Sequence, residues 1–158
     1  MEYWKELMQD GCVTLFWNHS IYEENIETVR QEGFDIYSFD CTEWETDNYH
    51  KDLAKTLKFP AYYGENLDAF NDCLSDKVPD HKGFVLAFRN YDIFAKKYPE
   101  IAFNILDIIQ EKSWQSLIEG KLVLSFVQSN DGKLIFPPLG GMIADWNTDE
   151  WFDENRGL

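Results

Sequence analysis

Between Tyr62 and Asp76 the sequence carries four acids, Glu65, Asp68, Asp72 and Asp76, and neither lysine nor arginine. Carboxylates grouped this way can hold a hard cation, share acid–base work, or stand in for phosphates against a basic surface. A cation cage needs further ligands converging from elsewhere in the chain, and no loop motif supplies them. Asp68 and Asp72 are four residues apart, so on a helix their carboxylates stand one turn above each other. That like-charge pair costs a few tenths of a kcal/mol. Asp68, in the first turn, recovers part of this from the helix dipole, and Asp72 is too far along to gain much. With Tyr62 and Tyr63 alongside, the surface is acidic and aromatic, suited to filling a basic, phosphate-reading cleft on another protein. The bland alternative is a solvated helix face beside a packed tyrosine pair.

A helix must position these groups. Asn66 is its N-cap, and Leu67, Phe70 and Leu74, with Cys73 beside them, form a core-facing stripe to about Ser75. Asp68, Asn71, Asp72 and Ser75 fall on the opposite face. Upstream, Tyr49, Leu53 and Leu57 mark another helix, which Pro60 ends. Residues 12–17 (C-V-T-L-F-W) read as a strand, followed by a helix with Ile21, Tyr22, Ile26 and Val29 on one side that stops at Gly33. Residues 34–39 form a second strand. This strand–helix–strand order predicts a crossover with its two strands parallel. Residues 84–88 and 122–127 read as a third and fourth strand, with a helix over residues 101–112 between them. Ser129-Asn130-Asp131-Gly132 is a hairpin signal, so Leu134-Ile135-Phe136 is expected to return antiparallel at an edge. Alternating strands and helices make the chain α/β.

The stretch from Pro60 to Leu74 matches P-x-Y-Y-G-E-N-L-D-A-[FLW]-x-D-C-L, and there the chain resembles the barstar family of intracellular ribonuclease inhibitors. The resemblance spreads more thinly over residues 34–128. It implies a small parallel sheet packed by helices, with residues 1–33 as a strand–helix extension and residues 129–158 as a C-terminal one, all in one domain. It also implies a non-enzymatic inhibitor whose acidic helix and preceding loop enter the basic active site of a ribonuclease or related nuclease toxin. By position, Tyr62 matches the family's interface tyrosine and Asp68 its first acidic contact. Asp72 matches the carboxylate that takes a substrate phosphate's place among the enzyme's arginines. Glu111 matches a glutamate late in the next helix. Asn71, Ser75 and Asp76 complete the expected contact face, while Gly64 and Asn66 serve as turn and cap. The founding complex of this family is itself a standing example of charge-steered, hot-spot association, whose logic transfers without its magnitude. Two departures bear on the target. Asn71 stands where the family commonly has tryptophan, and Lys77 where it has a second interface aromatic, so contact area is lost and a cation faces a basic enzyme.

The chain has 158 residues, 44% hydrophobic and 16% aromatic, enough for one core without disulfides. Its formal net charge of −15 argues against a nucleic-acid backbone or an anionic membrane as main ligand. No apolar run is long enough for a membrane span, and the first residues lack a secretory signal's pattern, so a cytoplasmic setting is expected. Cys12, Cys41 and Cys73 lack metal-ligand spacing and read as buried core thiols. His19, His50 and His81 have no nucleophile partner and read as surface or capping residues. Residues 137–141 (P-P-L-G-G) are no phosphate loop and read as a turn. Most of the six tryptophans are expected in the core or half-buried. The acids from Asp145 onward, Asp149, Glu150, Asp153 and Glu154 among them, suggest a solvated face, with Trp146 and Trp151 docking part of the tail. No metal or small-molecule cofactor is expected. The readings that compete are an adaptor for a non-nuclease protein, using the two extensions as its surface, and a hydrolase built on the same carboxylates.

Overall fold

In the computed structural model, which describes residues 2–151, continuous apolar runs become strands β1 (Val13–Phe16), β2 (Phe34–Asp40), β3 (Gly83–Arg89) and β4 (Leu122–Gln128). With β5 (Asp145–Trp146) they form one five-stranded sheet in the order β2-β3-β4-β1-β5. Every pairing is parallel, from Phe34↔Gly83 through Gly83↔Leu122 and Val13↔Ser125 to Thr14↔Asp145. The sheet therefore draws strands from both extensions as well as from residues 34–128.

Helices α1 (Tyr3–Leu7), α2 (His19–Gln31), α3 (Tyr49–Leu57), α4 (Leu67–Asp76), α5 (Tyr91–Lys97) and α6 (Pro99–Ile118) cover the sheet. The chain crosses from β1 to β2 in one direction and returns through β3 to β4 in the other. Right-handed crossovers then place α2 on the opposite face from α3–α6. The rings agree. Phe16 touches Tyr22 of α2 and Phe126, whereas Phe39 and Phe88, which share a register, stack at 5.1 Å and meet Trp44. Both faces being covered, β3 and β4 are buried almost throughout.

The expected antiparallel return of residues 134–136 is corrected by the structure, since no strand forms there. β4 has β3 on one side and β1 on the other, so a segment leaving it through a tight turn finds no edge to join. Residues 129–131 instead close on themselves, Ser129 Oγ donating to Asp131 O at 2.8 Å. The chain then crosses to the free side of β1 before pairing in parallel as β5. On the way Gly140 and Gly141, both at positive φ, make the expected turn, bridged by Leu139 and Met142. The helix expected over residues 101–112 runs on to Ile118, because Ser113 and Ser116 face inward and Ser113 Oγ donates to Val123 O at 2.8 Å. The short helices α1 and α5 lie outside the segments whose spacing predicts an element.

The three cysteines are free and buried as expected, and burial pushes the Cys12 thiol up to about 12. Trp44 is buried, Trp4, Trp17 and Trp146 are half-buried, and Trp114 and Trp151 are exposed. Glu150 departs from the expected solvated tail. It is fully buried, and its Oε1 accepts from the amides of Trp17 at 3.0 Å and Asn18 at 2.9 Å. Asp145 and Asp149 are exposed, and Asp153, Glu154 and Arg156 lie outside the described residues.

Candidate functional site: an acidic helix and its entry loop

The acidic helix begins where the sequence places it. Asn66 has extended backbone geometry and its Oδ1 accepts from the Ala69 amide at 2.8 Å, satisfying a donor that the first helical turn leaves free. Phe70, Cys73 and Leu74 are buried and Leu67 is half-buried, so the apolar stripe fixes the rotation of α4 about its axis. That rotation turns Asp68, Asp72 and Asp76 to solvent, with Asn71 and Ser75 half-buried at the margin. Ser75 Oγ donates back to Asn71 O at 2.9 Å. Among the described residues none of Asp68, Asp72, Asp76 or Glu65 forms an ion pair. Burial, and after it the fields of Asp76 and Asp72, raise the Cys73 thiol above its ordinary range.

The loop over residues 58–66 is shaped by left-handed backbone at both ends. Lys58, closing α3, has φ 57° and Glu65 has φ 50°. The turn expected at Gly64 therefore takes its left-handed residue from Glu65, a conformation non-glycine residues adopt seldom and at a cost. Between them Tyr62 projects with 78% of its surface exposed. Tyr63 turns the other way, its ring 5.0 Å from that of Phe59 and its hydroxyl 2.5 Å from His50 Nδ1.

His50 corrects an expectation. It is buried, lies against the Tyr49 ring and braces the loop through Tyr63. Burial lowers its pKa, partly opposed by Glu65, and burial first of all raises that of Tyr63. The signal was available, since His50, Leu53 and Leu57 lie at i, i+3 and i+7 on the buried side of α3. His19 is exposed at the start of α2, and His81 is exposed beside Asp35 at 2.9 Å.

Lys77 also behaves differently from expectation. Its ammonium donates to Leu57 O at 3.0 Å and stands 4.5 Å above the Tyr37 ring. The one cation closely following the acidic face is therefore turned back into its own chain. Glu111 is exposed on α6, the helix against which α4 packs. The structure thus gathers Tyr62, Asp68, Asn71, Asp72, Ser75 and Asp76 on one loop and helix, with Glu111 on the helix alongside. Beside the loop is a notch of about 250 Å³, walled by Tyr62, Cys73, Asp76, Lys77 and Val78 among others.

The fold is thus a parallel α/β sheet that presents an acidic helix, without an ion pair among the described residues, next to an exposed tyrosine. The family follows from the sequence, because a model described as "Barstar (barnase inhibitor)" matches residues 34–127, and the chain belongs to that family. It is also 35% identical over 75 residues to a protein of Bacillus subtilis (strain 168) named "Putative ribonuclease inhibitor YrdF". That alignment covers 48% of this chain and 80% of the relative. Strands β2, β3 and nearly all of β4, together with α3–α6, fall inside the family segment. No helix among the described residues is long and apolar enough to cross a membrane.

Proposed function

We propose that this protein is a non-enzymatic inhibitor that binds a basic ribonuclease, or a related nuclease toxin, by inserting α4 and its entry loop into the active site. The observation that carries this reading is the pair Asp68 and Asp72, exposed, one helical turn apart, and without an ion pair among the described residues. Acids that no described residue pairs with are available to a cationic partner, and a helix fixed by Phe70 and Leu74 holds them without further ordering. Asp72 takes the position of a substrate phosphate, Asp68 a neighbouring one, and Tyr62 packs at the rim. Asn71, Ser75, Asp76 and Glu111 complete the contact, and no metal or cofactor takes part. The family and the name of the Bacillus subtilis relative point to a ribonuclease as the partner, which would place the protein in the cytoplasm. The inward turn of Lys77 lessens the repulsion that its place in the sequence would otherwise imply.

The test is a titration of ribonuclease activity with the purified chain, using a basic ribonuclease of the kind barstar-family proteins inhibit. Loss of activity that ends sharply at one inhibitor per enzyme supports the proposal. Absence of inhibition by this chain across a set of basic ribonucleases from its native host would refute it.

A further inference from the structure

Resting on the inhibitor reading above, we propose that His50 is a positioning residue for the partner. By accepting the Tyr63 hydroxyl at Nδ1 it holds the entry loop in its binding shape, and by taking up a proton it slackens the loop and weakens inhibition in mild acid. The loop has an inner and an outer side. The Tyr63 amide donates to Pro60 O at 3.0 Å, closing a turn over residues 60–63. Tyr62 stands third in that turn and projects, with 78% of its surface exposed. Tyr63, which closes the turn, is half-buried, its ring 5.0 Å from that of Phe59 and its hydroxyl 2.5 Å from His50 Nδ1. Pinning Tyr63 inward is what turns its neighbour Tyr62 outward.

The brace joins three elements. His50 lies on the buried side of α3, and the Phe59 amide donates to Ala54 O of that helix at 2.9 Å. Phe59 also meets Phe70 of α4, ring centroids 6.2 Å apart. The crest that carries Tyr62 is thereby fixed relative to the helix that carries Asp68 and Asp72. Backbone preference does not hold this shape, because Lys58 and Glu65 at its two ends are non-glycine residues in left-handed geometry. Side chains must hold it, and the His50–Tyr63 bond is what ties the closing residue to α3.

The bond needs a neutral imidazole. Burial lowers the His50 pKa, opposed by Glu65, and burial first of all keeps the Tyr63 proton on its oxygen. The hydroxyl is then the donor, and the unprotonated Nδ1 the acceptor. The titratable groups that face the imidazole are Tyr49 from α3, ring centroids 4.0 Å apart, and Tyr63 and Glu65 from the loop, while Cys73 of α4 acts on Tyr63. His50 forms no ion pair among the described residues. A proton on Nδ1 therefore confronts the hydroxyl hydrogen and places a charge among rings. Losing a hydrogen bond of ordinary strength shifts the population of the braced loop about threefold to tenfold, and apparent affinity falls by up to that factor.

The test is isothermal titration of the ribonuclease that the chain inhibits with wild type, His50→Leu, Tyr63→Phe and His50→Asn, from about pH 7.5 down to about pH 5. At the upper pH His50→Leu and Tyr63→Phe should bind about threefold to tenfold more weakly, and His50→Asn, whose side-chain amide takes the place of Nδ1, should recover most of the loss. Below about pH 6.5 wild type should weaken relative to His50→Asn, a ratio in which the enzyme's own titration cancels. His50→Leu binding like wild type, His50→Asn binding no better than His50→Leu, or a ratio flat with pH would overturn the proposal. Should His50→Leu not fold, Tyr63→Phe, which removes a single oxygen, decides. Failure of wild type to inhibit would count against the inhibitor reading instead. The brace is then read in the free chain, where NMR amide shifts over residues 58–66 should titrate in wild type and not in His50→Asn. Loop shifts indifferent to that substitution would overturn it.

Discussion

Replacing Asp72 by alanine separates what the residue does for the fold from what it does for binding, because the two effects have opposite signs. In the free protein Asp72 is exposed, makes no ion pair among the described residues, and has an aspartate four residues away on each side, Asp68 and Asp76. Removing it relieves two like-charge pairs of about 0.2–0.5 kcal/mol each. Alanine's helix propensity adds up to about 0.7 kcal/mol. The variant should be more stable by about 0.5–1.5 kcal/mol, which for a chain of this size raises Tm by roughly 1–6 °C. Binding should move the other way, by about 2–5 kcal/mol or some thirtyfold to several thousandfold in Kd. That range is the general one for charged interface hot spots, to which this family's founding complex itself contributes, and is not a value the structure yields. Differential scanning calorimetry of the free chain and isothermal titration against the ribonuclease read the two quantities. A variant that binds unchanged would refute the contact assignment. One that loses stability would show that Asp72 has a structural partner.

Three further outcomes follow from the geometry. Raising salt should slow association much more than it speeds dissociation in stopped-flow measurements, since exposed acids act mainly by steering; equal effects on both rates would contradict steering. His50, whose pKa burial lowers, keeps fewer protons in the folded chain than in the unfolded one. Stability should therefore fall as pH drops below about 6.5, the ordinary histidine value, and urea denaturation of His50→Asn should show a flatter profile there. Acid loss from Asp40, Glu45 and Glu2, whose pKa values hydrogen bonds lower, comes only below about pH 4.5 and should survive that substitution. Glu150→Ala should cost about 2–4 kcal/mol in the same assay, because it orphans the amides of Trp17 and Asn18 and leaves a cavity. Glu150→Gln, which keeps an acceptor, should cost less than half as much.

Legibility in the sequence followed how directly each feature depends on neighbouring residues. The four long strands are apolar runs, and α4 carries both a cap at Asn66 and a stripe at Phe70 and Leu74, so local pattern sufficed. Sheet order is not a local property. That β1 lands beyond β4 and leaves β4 without an edge decides that residues 134–136 cannot pair, and nothing near those residues says so. The last turns of α6 invert the usual pattern, with Ser113 and Ser116 inside and Trp114, Leu117 and Ile118 outside, which concealed the helix end. In the candidate site, the exposure of Asp68 and Asp72 could be read from helical spacing. The brace from His50 to Tyr63 and the inward turn of Lys77 could not, since each depends on contacts between α3 and the loop or strand beside it. Glu150 sits among tail acids, and only the amides of the β1–α2 turn reveal why it is buried while Asp145 and Asp149 are exposed.

The central claim, that α4 occupies the space where a ribonuclease holds RNA, is tested most directly by competition. The enzyme is immobilised and the chain bound to it in the presence of increasing non-cleavable 2′-deoxy oligonucleotide that fills the active site. Mutually exclusive binding, with the apparent Kd of the chain rising in proportion to oligonucleotide concentration, is the predicted result. A ternary complex of enzyme, oligonucleotide and chain would contradict the account.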